Sequence, residues 1–217
     1  MIISRGRGYI FVHMPRRGGT AMALALEDRA KADDIMIGDT PKAVKRRGKV
    51  KNVQTAGRLW KHSTLADAEG LITRDEMRDL FTFTPVRNPW DRMVSYYHWL
   101  KTQTFDQPAV ILAQSKGFSG FLNALLTQAT FRKTPYATYM TDGAGDVHSD
   151  LYIRLEHLAE DGAPLRDHLG FDLDMKIANA SARPCDWRGF YTESDAELLG
   201  ELCAQDVKIH GYTFDPA

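Results

Sequence analysis

Two places in the sequence gather side chains suited to chemistry. The first is Pro15-Arg16-Arg17-Gly18-Gly19-Thr20-Ala21, with two glycines, a hydroxyl and two guanidinium groups in seven residues. Glycine lets backbone approach an anion closely, Thr20 adds a hydroxyl, and Arg16 and Arg17 add charge. A helix starting here adds free backbone N–H groups and a positive dipole end, which is phosphate or sulfate chemistry. The competing account of a Gly-Gly-Thr turn is plain helix-start chemistry. The second place is Arg87, with Ser95 about two helical turns further on. Arginine forks onto an oxyanion and serine supplies a hydroxyl, while a structural salt bridge from Arg87 to Asp91 is the alternative.

These groups need elements to hold them. Tyr9-Ile10-Phe11-Val12 is a short apolar run leading to the glycine turn, and the helix formers Ala21 to Glu27 follow it, which predicts strand, turn, helix. Thr73-x-x-Glu76 is a capping-box pattern, and Phe81-Thr82-Phe83-Thr84 alternates like a half-buried strand. Asn88 then reads as an N-cap and Pro89 as the first residue of a helix carrying Met93, Tyr96, Tyr97 and Leu100. Arg87 thus sits where a second strand meets a second helix.

Phe118, Phe121, Leu122 and Leu125 repeat at helical spacing, Leu151 to Leu155 reads as a third strand, and Pro164 to Leu169 as a helix stopped by Gly170. Ser194-x-x-Glu197 predicts the cap of a last helix with Leu198, Leu199, Leu202 and Cys203. The polar stretch 134–149 predicts a long loop, functional or mobile. Strands alternating with helices predict an α/β fold with a central, mostly parallel sheet flanked by helices.

The chain has 217 residues, a length that suits a single domain spanning 1–217. Lys+Arg and Asp+Glu each number 28, so the global field does not favour clinging to nucleic acid, and any anion site must be local. The exception to that balance is 42–61, with eight cations and no carboxylate, either a surface for an anionic acceptor or a solvated flap. Cys185 and Cys203 are too few for a disulfide framework and read as a loop thiol and a small core residue. The absence of a long apolar run predicts no transmembrane segment, and a cytoplasmic location is the expectation. The nucleoside-triphosphate loop G-x-x-x-x-G-K-[ST] does not fit, because Gly19 is followed by Thr20 and Ala21; a P-loop kinase is therefore a second choice.

The motifs resemble a family. Phe11-Val12-His13-Met14-Pro15-Arg16-Arg17-Gly18-Gly19-Thr20 is similar to the 5′-phosphosulfate loop of sulfotransferases (commonly H-x-P-K-T-G-G-T-S). Val86 to Tyr97 is similar to their 3′-phosphate element, R-N-P-x-D-R-x-x-S, which is the more specific match. Arg154-Leu155-Glu156-His157-Leu158 resembles the family's R-x-E-x-L segment, and Phe190 to Phe214 its C-terminal region. Lys61-His62-Ser63-Thr64 resembles the K-H-x-T segment of carbohydrate-type bacterial members. Residues 28–59 and 101–149 match nothing.

The resemblance implies a single-domain, P-loop-NTPase-like fold and transfer of a sulfuryl group from 3′-phosphoadenosine 5′-phosphosulfate to a hydroxyl or amine, most readily of a carbohydrate or glycolipid. The product would be 3′-phosphoadenosine 5′-phosphate, and no metal is required. Donor contacts then fall to Arg16, Arg17, Gly18, Gly19, Thr20, Ala21, Arg87 and Ser95, with Arg16 and His62 catalytic. His13 is a second candidate base or a residue orienting the loop. Glu156 reads more as a structural carboxylate than as a base. Trp60, Trp90 and Trp99 either pack in the core or stack on adenine or a sugar. Three residues depart from the family: Arg16 stands for Lys, Arg17 for Thr and Ala21 for Ser. The first departure motivates one further alternative, a catalytically impaired relative that binds nucleotide or glycan.

Overall fold

A computed structural model describes residues 1–175 and 186–215. In chain order the elements begin with β1 (Ile2–Ser4), β2 (Tyr9–Phe11), α1 (Gly19–Asp28), β3 (Ile35–Met36), α2 (Pro41–Arg46), α3 (Arg74–Asp79) and β4 (Phe81–Val86). Helices α4 (Pro89–Lys101), α5 (Pro108–Ser115), α6 (Phe118–Leu122), α7 (Leu125–Lys133) and α8 (Tyr136–Tyr139) come next. The chain continues with β5 (Leu151–Arg154), α9 (Leu158–Asp161), α10 (Ala163–Leu169), α11 (Glu193–Leu202) and α12 (Ala204–His210).

The described residues divide into two compact units: those of 1–86 with 136–179, and those of 87–135 with 180–217. The first unit holds the sheet, in the order β3-β1-β2-β4-β5. β2 pairs parallel with β4, and β4 with β5, while β1 runs antiparallel to both β2 and β3. Four of these five strands therefore point one way, as expected of a mostly parallel sheet flanked by helices. Two strands were not visible in the sequence. β1 and β3 span three and two residues, too short to leave a period.

β4 differs from the half-buried expectation, because Thr82 through Val86 are all buried. It lies inside the sheet, and its threonines are accommodated by hydrogen bonds: Thr82 Oγ1 donates to the Leu80 carbonyl and Thr84 Oγ1 to that of Val12, at 2.8 Å. Phe83 packs against Phe11 and Tyr9, with ring centroids 5.6 and 5.8 Å away. Met22 and Leu26 of α1, Ile153 of β5 and Leu165 of α10 complete this core.

The basic segment is not a flap. It forms α2 and a 3₁₀ turn at Arg47–Val50, and part of its charge closes the chain that leaves α1. Lys42 Nζ donates to the Glu27 carbonyl, Arg46 Nη1 to the Lys31 carbonyl at 2.7 Å, and Lys49 Nζ to that of Ala32. Cations are well placed where orphan carbonyls gather at a helix end. The 134–149 stretch is also built rather than loose. Asp142, its side chain 1% exposed, accepts from the amides of Ala144 and Asp146 and from His148 Nε2 at 3.0 Å. The hydrogen bond from His148 holds this carboxyl down at about 2, and the two amides add to the shift.

In the second unit the predicted cap of the last helix is shifted by two residues. It falls on Thr192, not Ser194: the Thr192 side chain accepts from the Asp195 amide, and α12 follows as a further helix. The helix predicted through Leu125 breaks after Leu122, and Leu125 opens α7 at 84% exposure. The Thr73 capping box and the Asn88 cap with Pro89 at the first helical position are as expected. Cys203 is buried, and Cys185 lies outside the described residues. Among the described residues no helix is long and apolar enough to cross a membrane.

Candidate anion-binding site

The glycine turn leaves β2 beside the middle of the sheet. Beyond Phe11 the strand pairing persists for one residue, with the Val12 amide donating to the Phe83 carbonyl at 3.0 Å. The chain then turns sharply. Arg16 has φ 61°, the one non-glycine left-handed residue among those described, and Gly18 has φ 72°. Arg17 and Gly19 lie between and after them with negative φ, so the sign alternates from 16 to 19. Alternation of this kind turns successive N–H groups toward one concavity, a nest for an anion. A left-handed arginine costs of order 1–2 kcal/mol, strain that functional turns commonly hold.

α1 begins in that concavity. Gly18 is its N-cap and has no side chain to satisfy the first turn. Met22 N–H is the first to find a helical acceptor, at Gly18 O, and among the described residues no acceptor faces the amides of Gly19, Thr20 and Ala21. Three donors and the positive end of a ten-residue helix thus converge at one spot. Arg16 is half-buried at its edge.

Arg17 departs from its expected role. It is fully buried, with its guanidinium carbon 3.9 Å from the centroid of the Tyr136 ring and 5.5 Å from that of Tyr139, and Nη1 near Met14 Sδ. It therefore does not present charge to solvent. It ties the glycine turn to α8, and desolvated cation–π contacts of this kind contribute about 2 kcal/mol. The participation of Tyr136 and of the 136–148 segment left no trace in the sequence, because the two partners lie far apart along the chain.

His13 and His62 form the other wall. The His13 ring lies so close to Gly19 that a Cβ there would stand 2.1 Å from its Cδ2. A Cβ on Gly18 would meet Leu155 at 2.7 Å. Both glycines are thus required by close approach, and Gly18 by its backbone angle as well. His62 Nδ1 bonds to the His13 carbonyl at 2.8 Å. A carbonyl only accepts, so Nδ1 carries the proton and the lone pair is on Nε2. The two rings meet edge to face with centroids 4.8 Å apart, and Trp60 contacts His62 at 4.9 Å.

Burial holds His13 well below the ordinary histidine range, assisted by the nearby amino terminus, His62 and Lys61. Burial likewise lowers His62 to about 4, against the opposing hydrogen bond to His13. Both rings are consequently neutral at pH 7, with the lone pair of His62 on Nε2. Glu156 sits in the exposed 3₁₀ turn after β5.

Arg87 and Ser95 belong to the second unit. Arg87 directly precedes the Asn88 cap of α4, and its Nε donates to Asp91 Oδ2 at 2.6 Å, so the structural salt bridge exists. Ser95 is 1% exposed, enclosed within α4's packing; Arg87 is the more open of the two. The start of α4 is anchored by the C-terminal segment. Tyr191 Oη donates to the Trp90 carbonyl at 2.7 Å, Asn88 Nδ2 to the Thr213 carbonyl at 3.0 Å, and Phe214 packs edge-on to Trp90. Trp90 is accordingly core, Trp99 is half-buried against Tyr96, and Trp60 is exposed.

No family model and no curated protein matches the chain. Among solved structures it is similar to the crystal structure of mouse sulfotransferase SULT7A1 complexed with PAP, at 14% identity and a TM-score of 0.46, over 93% of this chain and 84% of that one.

Two outcomes follow from the turn and the histidines. Gly19→Ala is expected to lose about 1–3 kcal/mol of stability by forcing the His13 ring aside, while Gly48→Ala, with open space around it, stays within about 0.5 kcal/mol. Chemical denaturation compares them, and equal losses would contradict the contact. The second outcome concerns acid. Between about pH 6.5 and pH 4 the unfolded chain protonates His62 and the folded chain does not, so stability present above that window is lost as pH falls through it. His13 acts in the same sense. His62→Gln is expected to flatten the fall in melting temperature between about pH 7 and pH 5; an unchanged slope would mean that His62 is not held neutral by the fold.

Proposed function

We propose that the chain is a sulfotransferase that moves a sulfuryl group from 3′-phosphoadenosine 5′-phosphosulfate to a hydroxyl of a saccharide or glycolipid acceptor. The observation that carries this reading is the alternating turn at 16–19, with three unengaged amides, next to a neutral histidine whose Nε2 holds a lone pair. The same chain bears the R-N-P-x-D-R-x-x-S string, suited to a second phosphate. The cradle fits a tetrahedral anion in charge and donor count.

In this reading the amides of Gly18 to Ala21 and the Arg16 guanidinium hold the 5′ end, and Arg87 with Ser95 takes the 3′-phosphate. The donor supplies an activated sulfuryl group. Nε2 of His62 receives the acceptor's proton as the acceptor oxygen bonds to sulfur and the bond from sulfur to the 5′-phosphate oxygen breaks. Arg16 and the helix N-terminus neutralise the charge that develops on that oxygen, so catalysis is chiefly positioning and preorganised electrostatics. Arg17 acts on the turn from behind, through Tyr136, rather than on the donor. Arg16 keeps the charge of the family's lysine with a different shape and reach.

That replacement favours one second reading, a relative that binds donor product without turning over. Calorimetry with 3′-phosphoadenosine 5′-phosphate decides the first point. Binding in the micromolar range, weakened about tenfold to a hundredfold by Arg87→Ala and much stronger than binding of ATP, is the expected result. Tighter binding of Mg·ATP would replace the reading with a kinase. Sulfated product formed by the native chain, and lost on His62→Ala, separates enzyme from binder; product formed by neither the native chain nor Arg16→Lys establishes the binder.

A further inference from the structure

Trp60 is the large aromatic residue that the fold leaves open beside His62. It is 49% exposed, yet its backbone is fixed: its amide donates to Ser63 Oγ at 2.8 Å, and the fully buried Ser63 hydroxyl bonds to the carbonyls of Arg58 and Trp60. The adjoining Thr64 and Asp67 exchange a reciprocal pair of bonds, each amide donating to the other's side chain at 2.8 and 3.0 Å. An exposed indole on a rigid turn loses little entropy when a ligand covers it, and a flat ring suits the apolar face of a pyranose.

Charge around it points to the kind of sugar. Between Asp39 and Asp67 the chain has no carboxylate. Lys42, Arg46, Lys49 and Lys61 are engaged with carbonyls or with Asp39, but Lys45, Arg47, Lys51 and Arg58 are exposed and their side chains make no hydrogen bond or ion pair among the described residues. A protein of zero net charge thus leaves four uncompensated cations on the segment that leads into Trp60.

The geometry points to Trp60 as an acceptor-binding residue that stacks on a pyranose ring beside His62, with Arg58 and its neighbouring cations selecting an oligosaccharide that carries carboxylates. The inference rests on the sulfotransferase reading and narrows its acceptor to acidic saccharides. Arg58, two residues before Trp60, offers a planar fork matched to a carboxylate. The remaining cations act over a longer range and are screened by salt.

The test uses the intact chain and unsulfated chondroitin tetrasaccharide, a carboxylated pyranose oligomer, against the same tetrasaccharide with its carboxylates reduced to alcohols. Calorimetry is expected to show binding of the first at least about tenfold tighter than the second, weakening as salt rises. Trp60→Ala is expected to weaken it about tenfold, Trp60→Phe by less than about threefold, and Arg58→Ala to erase most of the preference for the carboxylated form. Circular dichroism confirms that the exposed substitution leaves the fold in place. Absence of binding, or binding indifferent to Trp60→Ala, overturns the inference. The affinity for 3′-phosphoadenosine 5′-phosphate, measured on the same samples, separates the two failures: intact nucleotide binding without saccharide binding sinks the acceptor site alone, and loss of both sinks the sulfotransferase reading.

Discussion

The contact between the His13 ring and the backbone of Gly19 is the constraint on which the site depends. It brings the end of β2 and the first turn of α1 so close that no side chain fits between them. The peptide must then turn within a few residues, which it does by alternating the sign of φ and by placing an arginine in a left-handed conformation. The first amides of α1 have no intrahelical acceptors, as at any helix start, and the Gly18 cap has no side chain to take them up. The His13 carbonyl lies within reach of His62, which fixes the proton on Nδ1. The close approach at Gly19 and the tautomer of His62 thus both go back to the position of His13, while burial keeps the imidazole neutral.

Burial governs the electrostatics of the first unit. The Arg17 guanidinium is withdrawn from water and accommodated by the faces of Tyr136 and Tyr139, while the two histidines respond to burial by staying neutral. Around the glycine turn Arg16, Thr20 and Ala21 are less enclosed than Arg17, each of them half-buried. In the second unit the start of α4 is held by Asn88, Tyr191 and Thr213, and Arg87 is steered by Asp91. The C-terminal aromatic residues thus serve the Arg87 element as a support.

The parts of this arrangement governed by local chemistry were legible in the sequence. Asn88 with Pro89, the Thr73–Glu76 box and the glycine turn before α1 announce themselves because caps and turns depend on neighbouring residues. Other parts depend on distant partners and leave no local mark. Arg17 reads as a ligand until Tyr136 is seen beneath it, and β4 reads as half-buried until strands are seen on both sides. Asp142 orders part of a stretch whose composition predicts a long loop, functional or mobile. The cations of 42–61 divided between capping carbonyls and facing solvent, a partition that only the path of the chain after α1 decides. Ser95 stands on α4 where its spacing puts it, and the packing that encloses its side chain is set by residues that spacing does not reveal.

The claim at the centre of this account is that the backbone at 18–21 is an anion receptor. Amide nitrogen and proton shifts of Gly18, Gly19, Thr20 and Ala21, followed by NMR during titration with 3′-phosphoadenosine 5′-phosphate, test it at the atoms concerned. The account predicts large downfield shifts of the Gly19 and Thr20 amide protons that saturate with the calorimetric affinity. Saturable binding that leaves those four amides unmoved would contradict it.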